Sequence, residues 1–137
     1  MTKKILSVLL VLILPSIPAC VNRDDSTTSV LSVVADPDCF ALTACAPDGG
    51  YSLDKNYEWN CTTGLADVVF DSSPGTKGTV RVTLRDGASV EVFEMVYDET
   101  DDVFVSGTTY PGLHGRWSAQ IEIVNLEGRI TISIVSR

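Results

Sequence analysis

Thr79-Val80-Arg81-Val82-Thr83-Leu84-Arg85, with Asp86-Gly87 directly behind it, is the stretch that decides the fold. Val80, Val82 and Leu84 fall on one side of an extended chain, and threonine and arginine fall on the other. Successive side chains of a strand point to opposite faces, so this alternation predicts a strand with one dry and one wet face. A helix would scatter the same apolar residues around its axis. Ile130-Thr131-Ile132-Ser133-Ile134 and Trp117-Ser118-Ala119-Gln120-Ile121-Glu122-Ile123 repeat the pattern. Antiparallel sheets commonly leave one face to water, whereas parallel sheets are covered on both.

The punctuation around these strands agrees. Asp86-Gly87 predicts a tight hairpin turn into a strand over 90–97. Asn125-Leu126-Glu127-Gly128 predicts a similar turn between the last two strands, and the Ser72-to-Gly78 stretch separates a strand over 65–71 from the Val80 strand. No long helical stretch is available to cover a single sheet, so two sheets must cover each other. The expected class is all-β, an antiparallel β-sandwich. Trp117 alternates in phase with Ala119, Ile121 and Ile123. It is expected in the core, facing the Val80–Val82–Leu84 and Ile130–Ile132–Ile134 strands. Tyr57 and Trp59 share one face of their strand, with Glu58 and Asn60 on the other, and the aromatic face is expected to be buried. Tyr51 and Tyr110 lie on predicted loops.

The N-terminus follows a different logic. Lys3 and Lys4 precede an apolar run, Ile5 to Leu14, which Pro15 ends. A helix that spans a bilayer needs about 20 apolar residues, so the run suits a removable signal better than a permanent anchor. At its end Ile17-Pro18-Ala19-Cys20 resembles the lipobox of bacterial lipoproteins, with Pro18 departing from the small residue usual there. The resemblance implies cleavage after residue 19 and acyl chains, palmitate among them, on Cys20. Val21 is not the aspartate that commonly retains such proteins at an inner membrane. In a Gram-negative source the expectation is therefore an outer-membrane anchor, with the domain in the periplasm or on the cell surface.

Removing 19 residues from 137 leaves 118, enough for one core. Lys3 and Lys4 leave with the signal, so 8 basic residues stand against 18 acidic ones, a net charge of −10. Such a chain repels phosphate backbones and anionic lipid heads, which argues against nucleic acid as a partner and leaves membrane attachment to the lipid. Asn22 to Ser29 is polar and aperiodic, as a flexible tether would be. Val30 to Ala35 either starts the domain as a strand or extends the tether, and Asp36 to Gly50 reads as irregular. The expected organisation is a signal peptide over 1–19, the lipidated cysteine and tether over 20–35, and the sandwich over 36–137. Residues 57–135 are similar to the β-domains of small bacterial lipoproteins, on the strength of Trp59-Asn60, the Gly78-to-Phe93 hairpin, Pro111 to Trp117 and the closing Gly128-to-Ile134 strand. That resemblance implies a jelly-roll or immunoglobulin-like sandwich and brings no catalytic residue with it.

Few residues carry chemistry. With Cys20 taken by lipid, an exported chain is expected to pair two of Cys39, Cys45 and Cys61. Cys45–Cys61 is the favoured bridge, because it would staple the N-terminal segment to the Trp59 strand, and Cys39–Cys45 is the alternative. A three-cysteine metal site lacks the usual ligand spacing. His114 is the only histidine, and no Gly-x-Ser-x-Gly elbow accompanies it. Asp98, Glu99, Asp101 and Asp102 crowd four carboxylates into five positions and are candidate calcium ligands, calcium being the one cofactor considered. The functional expectation is a lipid-anchored envelope protein with a non-enzymatic binding or structural role, with an envelope protein or polysaccharide as partner. The alternatives are a small envelope hydrolase and a calcium-dependent adhesion or polymer-binding module.

Overall fold

The structure is a computed structural model, and it describes residues 29–98 and 104–137. Its strands are β1 (Val30–Asp36), β2 (Cys39–Cys61), β3 (Ala66–Ser72), β4 (Lys77–Arg85), β5 (Glu91–Asp98), β6 (Phe104–Thr108) and β7 (Gly115–Ser136). Every pairing is antiparallel. The chain is an all-β, antiparallel sandwich.

The architecture turns on two very long strands. β2 and β7 pair along their whole lengths as one ribbon, from Cys39 opposite Val135 to Cys61 opposite Gly115. The register breaks between Ala46 and Leu53, and there the ribbon doubles over. Gly49 (φ 77°), Gly50 (φ 74°), Asn125 (φ 53°) and Gly128 (φ 113°) supply the left-handed backbone at the bend. At Gly128 a side chain is excluded as well, since a Cβ would stand 2.6 Å from Thr76 Oγ1. The doubling returns the end of β2 to its beginning, where Asp38 N donates to the carbonyl of Asn60 at 2.7 Å.

Two sheets result. The first runs β1, the 39–46 half of β2, the 128–136 half of β7, β3 and β6. The second runs the 51–61 half of β2, the 115–124 half of β7, β4 and β5. Between them lie Phe40, Leu42, Ala44, Val68, Phe70, Ile130, Ile132 and Ile134 from one side, and Trp59, Val80, Val82, Leu84, Tyr97, Trp117, Ala119, Ile121 and Ile123 from the other. Trp117 is fully buried, as its phase predicts. Its strand packs edge to edge with the Val80–Leu84 strand in the same sheet, and it is the Ile130–Ile134 segment that belongs to the opposite sheet.

Several expectations are corrected. Val30 to Ala35, left open between strand and tether and placed in the 20–35 segment, is strand: β1 pairs from Val30 opposite Cys45 to Asp36 opposite Cys39. Within Asp36 to Gly50, expected to be irregular, residues 39–46 are regularly paired strand after the Pro37-Asp38 turn, and the register breaks only beyond Ala46. Asn125–Gly128 joins no hairpin but is the point where one strand passes between sheets. The turn after β4 is wider than two residues, with Asp86 N donating to the carbonyl of Val90 at 2.9 Å.

The favoured Cys45–Cys61 bridge and its Cys39–Cys45 alternative are both absent, since Cys39 and Cys61 are free thiols; Cys45 is not among the free thiols. The doubled ribbon explains this. Cys61 ends β2 beside Asp38 and Ser136, whereas Cys45 lies six residues along β2 from the Cys39 end. Six residues of strand span about 20 Å, and a disulfide needs Cα atoms within about 7 Å.

Candidate binding site

Among the described residues the 51–61 half of β2 is an edge of the second sheet, and alternation sets the face each residue uses. Trp59 and Cys61 turn inward and are buried, whereas Glu58 and Asn60 turn outward and are exposed. Across the ribbon Asn60 stands opposite Arg116, Trp59 opposite Trp117 and Glu58 opposite Ser118. A pocket of about 410 Å³ opens here, lined by Glu58, Trp59, Asn60 and Arg116. It brings together a carboxylate, an amide and a guanidinium.

Beneath it the backbone is held firmly. The Trp59 and Trp117 rings meet edge to face with centroids 5.7 Å apart. Trp117 Nε1 donates to the carbonyl of Leu113 at 2.7 Å, which ties the 111–114 loop to the core. Asp86 fixes that loop from the other side. Its Oδ2 accepts from Leu113 N at 2.9 Å, and its Oδ1 accepts from Val90 N and Ala88 N, each at 2.9 Å. These backbone donors, Leu113 first, hold the Asp86 carboxyl below the usual carboxylate range against a smaller opposing effect of desolvation. Gly112 permits the close approach, for a Cβ there would stand 2.7 Å from Asp86 Cβ. Farther along the same outer face Arg85 Nη1 donates to Gln120 Oε1 at 3.3 Å.

A second polar cluster lies at the same end of the sandwich. Ser136 Oγ stands 2.7 Å from Asp38 Oδ1 and 3.2 Å from Cys61 Sγ. Asp38 also accepts from Thr62 N and Thr62 Oγ1, each at 2.8 Å. The series of thiol, hydroxyl and carboxylate looks like a nucleophile with its relay, but Cys61 is fully buried and out of reach of a substrate. Its role is to join the β1–β2 turn, the end of β2 and the C-terminus. Cys39 is also a poor nucleophile, because burial and, secondarily, Asp36 push its thiol up and keep it protonated. Tyr57 OH and Trp59 Nε1 are buried and have no hydrogen-bond partner among the described residues. Burial, with Tyr51 second, pushes the Tyr57 phenol up.

Other residues singled out in the sequence do not converge. His114 is exposed on the loop before β7, and Tyr110 is 77% exposed. Tyr51 is half-buried within β2 rather than on a loop. Asp98 is exposed at the end of β5, while Glu99, Asp101 and Asp102 lie outside the described residues, as does Cys20. Among the described residues no group of three or more His, Cys, Asp and Glu could hold a metal. Glu58, Asn60 and Arg116 were not sequence candidates. Alternation places the first two on the wet face, but only the ribbon's register brings Arg116 beside them.

No protein-family model matches the chain, and no curated protein matches it. Among solved structures it is similar to TmCBM61, determined in complex with β-1,4-galactotriose, at 10% identity and a TM-score of 0.45, over 85% of this chain and 75% of that one. It is similar to the K3 cleaved adhesin domain of Lys-gingipain from Porphyromonas gingivalis at 10% identity and a TM-score of 0.45, over 72% of this chain and 74% of that one. It is also similar to an arabinose-bound α-L-arabinofuranosidase, MgGH51, at 15% identity and a TM-score of 0.39, over 79% of this chain but only 22% of the length of that one. These are likenesses of fold at low identity, and none carries a function across.

Proposed function

We propose that the chain is a lipid-anchored envelope protein that binds a polysaccharide, without catalysis, at the Glu58–Asn60–Arg116 pocket. The observation that carries this reading is one pocket lined by an acceptor-only carboxylate, a donor-only guanidinium and an amide that does both, on a two-stranded floor. Each sugar hydroxyl both donates and accepts, so neighbouring hydroxyls can give to Glu58 and take from Arg116. The pocket is open and shallow enough to meet a polymer from the side. Its lining supplies one carboxylate, whereas glycoside hydrolysis requires two set about 5–10 Å apart. The signal run and Cys20 motif support the anchor.

The test is binding of the full chain, solubilised in mild detergent, to a panel of purified envelope and plant polysaccharides. Arg116→Ala and Asn60→Ala should each weaken binding of any captured polysaccharide by about tenfold, the effect of losing a hydrogen bond worth about 1.5 kcal/mol. Binding that survives both substitutions unchanged would remove the pocket from the function.

A further inference from the structure

We propose that β1 is a pairing edge through which two copies of this chain join antiparallel across a two-fold axis. Among the described residues the doubled ribbon leaves four sheet edges, and two of them are guarded by charge. The 51–61 half of β2 carries Asp54, Lys55 and Glu58. β5 carries Glu91, Glu94 and Asp98. Charges and short length are how sheet edges are kept from pairing with other chains. β1 is uncharged up to its last residue, Asp36. Val30-Leu31-Ser32-Val33-Val34-Ala35 holds no charge, proline or glycine.

β1 also overhangs the core. The two halves of β2 face each other, as the Phe40–Tyr57 ring contact at 5.6 Å shows, so β1 lies beyond the last strand of the opposite sheet. Leu31 and Val33 point toward the interior side, in register with Ala44 and Leu42, yet both stay only half-buried, and Val30 is 38% exposed. A second sheet edge laid beside β1 would extend this apolar row.

The occupant that fits is a second β1. Antiparallel pairing centred on Val33 sets Leu31 opposite Ala35 of the second copy, Ser32 opposite Val34, and Val33 opposite itself. Interior-side residues then meet interior-side residues, which register demands of a half-buried strand. Asp36 falls opposite Val30, so the two aspartates lie at opposite ends of the pair instead of against each other. Two copies of an acidic chain repel overall, and along Val30–Ala35 the pairing brings no like charges together. Such an interface is isologous, the commonest form among homodimers.

Sedimentation velocity of the full chain in mild detergent tests this. Wild type should run as a dimer at high concentration, and Ser32→Lys, at an exposed position, should halve the mass while keeping the wild-type circular dichroism and melting temperature. The register is tested by crosslinking. Val33 Cα atoms across the axis would lie about 4.5–5.5 Å apart, within disulfide range, whereas Leu31 Cα atoms would lie about 13 Å apart. Val33→Cys should therefore give at least tenfold more disulfide-linked dimer on mild oxidation than Leu31→Cys. A wild-type chain that stays monomeric at every concentration, a dimer untouched by Ser32→Lys, or equal crosslinking at the two positions would each overturn the proposal. None of these results depends on polysaccharide binding.

Discussion

Trp117 combines two roles at one residue. Its indole fills the centre of the core and its Nε1 holds the carbonyl of Leu113. Trp117→Ala should lower stability by about 3–5 kcal/mol, measured by urea denaturation, while Tyr110→Ala should stay within about 0.5 kcal/mol of wild type. Tyr57 poses the opposite case, because its hydroxyl is buried and has no partner among the described residues. Tyr57→Phe removes that hydroxyl and should leave stability unchanged or raise it by about 1 kcal/mol; a clear loss would mean that the hydroxyl has a partner. Asp86 sets a pH dependence. Its folded carboxyl titrates below its unfolded value, so its contribution is full above the ordinary carboxylate range and is lost as pH falls through the depressed folded value. The melting temperature of wild type should fall as pH drops through that acid window, and Asp86→Asn should start lower at neutral pH and show a shallower fall. These residue roles were legible in unequal measure. The burial of Trp117 follows from period two alone. The role of Asp86 depends on Leu113, 27 positions away, and no local pattern announces such a partner.

At the scale of elements, the bend in the ribbon is the feature most exposed to test. Gly128 combines a φ of 113° with a Cβ position 2.6 Å from Thr76 Oγ1, whereas Gly75, at φ 76°, has nothing within 4 Å of its Cβ position. Gly128→Ala should cost about 2–3 kcal/mol from strain and clash together, and Gly75→Ala about 1 kcal/mol from backbone strain alone. Equal losses in thermal melts would mean that the bend does not constrain Gly128. The same region shows why strand boundaries were only partly legible. β4 and the 117–123 and 130–134 segments of β7 read directly from alternation, because each has one face in the core. Asn125-Leu126-Glu127-Gly128 has the composition of a hairpin turn and serves instead as a corner within one strand. Local backbone needs are the same in both cases, and the choice between them is made by β2, which tracks β7 through the corner.

For the whole molecule, the acidic domain has no attraction for anionic lipid, so the proposed membrane attachment rests on Cys20. Cys20→Ala should move the protein to the soluble fraction or leave an uncleaved precursor, as read by fractionation and mass spectrometry; a cleaved mutant that still fractionates with membrane would refute lipid anchoring. The sequence by itself determined the all-β class, the antiparallel sense and the inward set of Trp117, Val80, Val82 and Leu84. Each depends on local periodicity, which any stretch of chain displays without its partners. The tertiary structure alone decided that β2 and β7 form one doubled ribbon, that Cys45 and Cys61 stand too far apart to bridge, and that Arg116 meets Glu58 and Asn60 at an open edge. Those outcomes depend on register between segments more than 50 residues apart in the chain. Long-range register is set by which faces can be buried together, a property of the folded pair and of neither segment alone.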